Sequence, residues 1–407
     1  MKEFKGVVGI LGQGYVGLPL AIEAAKAGWR VIGIDKKVNT VNDLNLGISH
    51  VEDVLDSDIK RVIDDGMYSA SSDVSNISLC DYVIICVPTP LTSKGEPDID
   101  ILVNAVTEAA PYLKDGCTLI SESTSFPGTV SILIKSILDR VKGEASDSIL
   151  LCSAPERVDP LNQRYSMRNT PRLISGVTEK ARDSAYKFYS SFCDEVISVS
   201  SPMVAEFAKL LENTFRQVNI ALINQLTPYI RSMGVDVREV VDAAGSKPYG
   251  FMKFYPGAGP GGHCIPVDPV YLSWFADKDG FDLSIIKESD KVNRDMAGYV
   301  ADRLVKLGEI QNVLIVGAAY KPNVSDVRES SAIRVGEILN ERGLKVYWYD
   351  PLVDRLPIGE RFVSGVSYDA VLVLVKHEVM DLSFLEDSQV PILDCTGTVT
   401  NINVERL

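Results

Sequence analysis

The sequence predicts an α/β protein with two doubly wound parallel-sheet domains joined by a central helical domain that holds one long helix. Three observations carry this expectation. Short apolar runs alternate with helix-period segments over residues 1–200. An uninterrupted helical pattern then runs from about 203 to 231. Finally, Val313-Leu314-Ile315-Val316-Gly317 reopens the strand–helix alternation. The expected domains are therefore 1–200, 201–308 and 309–407.

Taken in order, residues 7–11 form a buried strand, 15–27 a helix, and Trp29 to Asp35 a second strand. Further buried strands are expected at 82–87, 118–121 and 148–152. Ser200-Ser201-Pro202 opens the long helix, with serine to cap it and proline in its first turn. Helical material continues to about 308. A strand at 313–319, a helix at 330–342 and a strand at 344–350 then echo residues 7–35, again ending in an aspartate. This second, Rossmann-like copy lacks the glycine fingerprint described below, so a different ligand is expected there.

Bulk properties narrow the function. The 407 residues are 46% hydrophobic and 24% charged, ordinary for a globular chain, with a net charge of −14. Nucleic acid and anionic membranes both need a basic face, so neither is an expected partner. The seven cysteines are scattered without a CxxC pair, which points to a reduced, cytoplasmic protein with no metal site. The apolar run at 7–11 is too short for a signal peptide, and no stretch approaches the roughly 20 apolar residues of a membrane span.

Gly12-Gln13-Gly14-Tyr15-Val16-Gly17 lies between a strand and a helix. The first glycine suits a tight turn, the second admits a pyrophosphate, and the third allows close helix–strand packing. Asp35, at the end of the second strand, can bond a ribose 2′-OH and would repel a 2′-phosphate. NAD is the expected cofactor, although Lys36 and Lys37 work slightly against it.

Gly261-Gly262-His263-Cys264-Ile265-Pro266-Val267-Asp268 is an irregular, glycine-lined loop carrying a cysteine. A thiol beside a hydride acceptor suits an oxidation that continues past an aldehyde, because a thiohemiacetal can give up a second hydride. An inert cysteine and a helix-capping Asp268 are the ordinary alternatives. Glu206, Lys209, Asn213 and Arg216 share one face of the long helix, which is either a solvated stripe or the wall of a site. Ser123-Thr124 and Pro155-Glu156-Arg157 each follow a strand, where open α/β sheets bind ligands. Lys321 to Arg328 opens a helix and suits a phosphate.

Gly12 to Pro19, Cys86-Val87-Pro88-Thr89-Pro90, Glu122-Ser123-Thr124, Pro155-Glu156-Arg157, Lys209 to Asn213, the cysteine loop and Lys321 to Ser330, in this order, resemble the UDP-glucose/GDP-mannose dehydrogenase family. UDP-glucose enzymes of that family typically have Gly-Gly-Ser-Cys-Phe-Pro-Lys-Asp in the cysteine loop. His263, Ile265 and Val267, together with Pro155 to Pro160 and Thr89 to Thr92, resemble instead the branch acting on UDP-N-acetylhexosamines. The resemblance implies a four-electron oxidation at C6, with UDP-N-acetylglucosamine the favoured substrate and the N-acetylmannosamine epimer or UDP-glucose next.

By the same resemblance, Cys264 attacks the aldehyde, while Lys209 and Asp268 organise a water or proton acceptor. Asn213 and Lys209 stabilise the oxyanion, and Glu156, with Thr124 holding a water, assists thioester hydrolysis. Gly12, Gly14, Tyr15, Val16, Gly17, Asp35, Pro88, Thr89, Thr124 and Arg328 are expected at the cofactor. Glu156, Arg157, Val158, Lys209, Asn213, Arg216, Tyr249, Phe254, Tyr255, Gly257, Gly261, His263 and Lys321 are expected at the UDP-sugar. A homodimer or larger homo-oligomer built on the long helix is implied as well. A redox-sensing NAD-binding regulator and a one-step hydroxyacid-type dehydrogenase are the competing functions.

Overall fold

The computed structural model describes residues 4–124, 126–159, 161–162, 164–262, 264–363, 365–386, 388–400 and 403–407. His263 lies outside the described residues. The chain divides into two compact units, Met1–Leu211 and Glu212–Leu407, so the division falls inside the long helix Pro202–Ser232 rather than ahead of it. That helix accommodates Pro228 within its last turns.

The first unit is built on an eight-stranded sheet. Its strands are β1 (Val7–Leu11), β2 (Arg30–Ile34), β3 (Tyr68–Ser71), β4 (Tyr82–Ile85), β5 (Thr118–Ser121), β6 (Leu150–Ser153), β7 (Arg172–Gly176) and β8 (Val196–Ser198). They lie in the order β3-β2-β1-β4-β5-β6-β7-β8. Every pairing is parallel except β6 with β7. The parallel strands are apolar on both faces because helices cover both. Val8, Ile10, Ile84 and Ile120 pack into one core, while Leu11, Val83, Ile85 and Leu119 pack into the other. Trp29 closes the first core against Tyr82 and Phe188, with ring centroids 5.2 and 5.3 Å away.

The second unit carries β9 (Asn312–Val316), β10 (Lys345–Tyr349), β11 (Glu360–Arg361), β12 (Ala370–Val373), β13 (Ile392–Asp394) and β14 (Val404–Arg406). Their order, β11-β10-β9-β12-β13-β14, repeats that of the first six strands, and all are parallel. The repeat extends to detail. Gly12 N–H bonds Ile34 O after β1, and Gly317 N–H bonds Tyr349 O after β9, at 2.8 and 2.9 Å. Both glycines have positive φ, 91° and 86°. The duplication suggested by sequence is therefore a duplication of turn geometry as well as of strand pattern. Helices Val237–Ala244, Asp268–Lys278 and Ser284–Val305 lie in the segment before β9, with an irregular stretch from 245 to 262.

Candidate active site

The turn after β1 has the form of a dinucleotide cradle. A Cβ on Gly12 would lie 2.6 Å from Cys86 O, and one on Gly17 only 1.9 Å from Gly12 O, so the fold itself excludes side chains at both. A Cβ on Gly14 would meet nothing within 4 Å, so its emptiness faces open space. The helix Gly17–Lys26 starts without a side-chain cap, and its N-terminus, the end that suits an anion, follows directly on the glycine turn. Asp35 Oδ2 accepts Gln13 N–H at 3.0 Å and Oδ1 accepts Lys37 N–H at 2.9 Å, which sets the carboxylate beside the glycine turn. Lys36, which argued against NAD, is engaged 2.8 Å from Glu108. Tyr15 and Val16 are half-buried at the turn, and Pro88 (exposed) and Thr89 (buried) follow β4. These residues fit NAD.

Beyond the ends of β5 and β6 lies a buried charge cluster. Glu156 Oε1 accepts the N–H groups of Arg157 and Val158, both at 2.6 Å, and Oε2 accepts Arg172 Nη2 at 2.7 Å. Arg172 Nη1 also stands 3.4 Å from Glu122 Oε2, while the Tyr189 hydroxyl donates to Glu122 Oε1. Two carboxylates thus share one guanidinium. Burial drives the Glu122 carboxyl up to about 7, opposed by Arg172 and reinforced by the like charge of Glu156. Burial also works to raise Glu156, but Arg172, the Val158 N–H and Lys209 together leave it below the ordinary carboxylate value. Near neutrality Glu156 is ionised and the affinity for a proton sits on Glu122. Thr124, half-buried, comes two residues after Glu122.

The polar face of the long helix is buried at Glu206, Lys209 and Asn213, while Arg216 at its end is exposed. Glu206 accepts the N–H groups of Gly128 and Val130 at 2.7 and 3.0 Å, capping the helical turn Thr129–Ile134. Lys209 is 6% exposed and Asn213 fully buried, one turn apart on the same helix. Asn213 Nδ2 donates to Asp268 Oδ2, and Arg216 donates to Asn213 Oδ1. Asp268 therefore serves Asn213, and the helix Asp268–Lys278 begins without a side-chain cap, which corrects the capping alternative.

Cys264 is the one exposed cysteine of the seven. Its carbonyl accepts Asp268 N–H at 2.9 Å, so the thiol sits one turn ahead of the helix start. The loop before it is pinned by two buried amides. Asn224 Oδ1 accepts Gly257 N–H at 3.1 Å, and Asn224 itself donates to Asn293 at 2.9 Å. Phe254 packs on Phe215, Tyr255 bonds Asp242 at 2.7 Å, and Tyr249 projects into solvent. Gly262 N–H bonds Arg328 O at 3.0 Å, and a Cβ on Gly261 would lie 2.7 Å from Tyr320 Cβ. The cysteine loop therefore leans on the Lys321–Arg328 segment. Arg328 forms a two-pronged pair with Asp326, with contacts of 2.6 to 3.0 Å, and Lys321 lies over the Tyr320 ring.

Three family models cover nearly all of the chain. They describe the NAD-binding domain (residues 7–193), the central domain (203–295) and the UDP-binding domain (314–397) of the UDP-glucose/GDP-mannose dehydrogenase family. The UDP-N-acetyl-D-mannosamine dehydrogenase of Pyrococcus horikoshii is 34% identical over 91% of this chain and 89% of its own length. The chain belongs to the UDP-glucose/GDP-mannose dehydrogenase family. The UDP-N-acetyl-D-glucosamine 6-dehydrogenase of Salmonella typhi is 32% identical over 91% of this chain and 90% of its own length. The solved structure of the Pyrococcus horikoshii UDP-D-ManNAc dehydrogenase superposes with a TM-score of 0.88 at 28% identity, covering 98% of both chains. The protein is accordingly an NAD-dependent nucleotide-sugar dehydrogenase with a UDP-binding domain. Sequence reasoning did not single out Arg172 or Tyr189 at this enzyme's charge cluster. An arginine opening an otherwise apolar strand, Arg172-Leu173-Ile174, was the available signal.

Proposed function

We propose that this dehydrogenase oxidises C6 of a UDP-N-acetylhexosamine twice, giving the uronic acid through a thioester on Cys264. The observation that carries the reading is Cys264 itself, exposed in a loop braced on both sides while the other six thiols are buried. UDP-N-acetylglucosamine is the substrate the cysteine-loop residues favour. The N-acetylmannosamine epimer is the second reading, favoured by the Pyrococcus horikoshii relative.

In this reading residues 1–200 take NAD, 201–308 carry the cysteine loop and 309–407 take the UDP moiety. Gly12, Gly14, Gly17 and Asp35 would hold NAD, which supplies the hydride acceptor, one NAD for each of the two oxidations. Lys209 and Asp268 order the water that receives the C6 hydroxyl proton in the first. The Cys264 thiol then adds to the aldehyde carbon, and Asn213 and Lys209 stabilise the oxyanion. Loss of the second hydride leaves a thioester. Water held by Thr124 attacks its carbonyl, ionised Glu156 takes the proton, and the Cys264 sulfur leaves. Lys321 and the Tyr249–Gly257 loop hold the nucleotide sugar.

A second copy of the chain belongs on the long helix. Phe207, Leu211, Phe215, Leu222, Leu226 and Tyr229 are all exposed and recur at helical spacing along it. An apolar stripe of that length is covered in a homodimer or larger homo-oligomer.

The test is NADH release with equal UDP-N-acetylglucosamine, UDP-N-acetylmannosamine, UDP-N-acetylgalactosamine and UDP-glucose, with product counted by mass. Two NADH per uronate from an acetylated sugar is the expected result. Preference for UDP-glucose overturns the substrate class, and one NADH per product overturns the thioester.

A further inference from the structure

The second unit holds a buried histidine–aspartate hydrogen bond that the reaction does not use. His377 and Asp350 are both fully buried, with Nε2 of the imidazole 2.8 Å from Asp350 Oδ2. The other ring nitrogen, Nδ1, lies 2.7 Å from the backbone N–H of Asn323. A backbone N–H can only donate, so Nδ1 is the bare nitrogen and Nε2–H is the donor to Asp350. The same Asp350 oxygen accepts Ala318 N–H at 2.7 Å and Ala319 N–H at 3.1 Å, fixing the pair to the turn after β9.

Asn323 is tied a second time, because its Oδ1 accepts Glu378 N–H at 2.8 Å. Its φ is 64°, a left-handed conformation that a non-glycine residue keeps only when its surroundings hold it there. The two bonds from 377–378 are such a hold. Lys321 precedes Asn323 by two residues, and Arg328, whose carbonyl accepts Gly262 N–H, follows in the same loop. A Cβ on Gly262 would lie 2.7 Å from the Tyr320 ring, so the loop and the cysteine turn are in close contact.

We propose that His377 is a positioning residue: its Nδ1 anchors Asn323, and through it the 320–329 loop that presents Lys321 to UDP and supports Gly261-Gly262 ahead of Cys264. The first half of this rests on the reading of Lys321 as a nucleotide contact. The second half needs only the contacts above.

Two variants separate the ring's nitrogens. In His377→Asn the Oδ1 takes the place of Nδ1 and can still accept from Asn323. In His377→Gln the Nε2 amide keeps the donor to Asp350 and loses the anchor. UDP affinity by calorimetry and the rate of Cys264 alkylation by iodoacetamide are read in both, the other cysteines being buried. UDP affinity should stay within about threefold of the parent in His377→Asn and fall about tenfold in His377→Gln, the effect of one lost hydrogen bond. The substrate KM should rise in His377→Gln more than kcat falls, and its alkylation rate should shift at least about threefold, on the same arithmetic. Equal UDP affinity in the two variants overturns the anchor. If Lys321→Ala binds UDP as the parent does, the nucleotide reading fails, and alkylation then decides, with an unchanged rate in His377→Gln overturning the proposal. Should His377→Gln not fold, hydrogen exchange of the parental Asn323 amide is read instead: the bond to Nδ1 should protect it, and exchange as fast as in an unfolded chain overturns the anchor.

Discussion

Glu122→Gln tests the shared guanidinium of the first unit. An unfolded glutamate titrates near the ordinary 4.5, whereas burial holds the folded Glu122 at about 7. The folded state keeps this proton more tightly, so the stability it contributes is fully present below pH 4.5 and is lost as the pH rises through 7. That gap corresponds to about 3 kcal/mol, or about 6–12 °C of melting temperature for a unit of this size. Glu156 has the opposite sign. Its lowered value stabilises at and above the ordinary carboxylate range, and that contribution is lost only in stronger acid. Glu206, raised to about 6 by burial, adds a smaller loss in the lower part of the window. Glutamine cannot ionise, it keeps an oxygen for the Tyr189 hydroxyl, and it leaves Arg172 paired with Glu156 alone. Thermal unfolding of both proteins at several pH values between 5.5 and 8.5 gives the assay, and their difference isolates Glu122. The parent should lose about 2 kcal/mol relative to the variant across that range, with the variant gaining on it toward the alkaline end. Parallel curves would refute the raised carboxyl and the sharing of Arg172.

Cys264→Ser should abolish uronate formation while the fold, judged by circular dichroism, is unchanged, because the residue is exposed. Uronate at the parental rate would falsify the thioester. Asp35→Asn removes the charge that repels a 2′-phosphate, so kcat/KM with NADP should rise relative to NAD by about tenfold, or about 1.4 kcal/mol, and an unchanged ratio would show that Asp35 does not read the ribose. Glu206→Ala leaves the Gly128 and Val130 amides without their acceptor and should cost about 2 kcal/mol in denaturant unfolding. Gly12→Ala forces a Cβ to 2.6 Å from Cys86 O and should lower NAD binding and stability together.

Much of this architecture is legible in the chain. The strands of parallel sheets are apolar runs buried on both faces, so β1, β4, β5 and β9 stand out, and the glycine turn after β1 explains itself by contacts a Cβ cannot make. The antiparallel β7 does not stand out, because Arg172-Leu173-Ile174-Ser175-Gly176 reads the same in either direction. Spacing on the long helix places Glu206, Lys209 and Asn213 on one face, but burial of that face depends on partners far away in sequence, such as Gly128 for Glu206 and Asp268 for Asn213. The cluster of Glu122, Glu156, Arg172 and Tyr189 is hidden for the same reason, since its members come from the end of β5, the loop after β6, β7 and the helix Glu179–Tyr189. Motif resemblance reached Glu156 because that residue sits in a recognisable local string. The arginine and tyrosine have no such string.

The two matching aspartates show how one strand–turn–strand arrangement can be given two occupations. Asp35 and Asp350 close the second strand of their sheets, and each accepts an amide from the turn after the first strand. The difference is a lid. Asp35 accepts two backbone amides, whereas Asp350 also carries an imidazole. A sugar hydroxyl seeking that second carboxylate meets a stopper, and the acid is left to brace a loop. In the second half, which also lacks the glycine fingerprint, the aspartate is braced inside the fold by a ring and two amides.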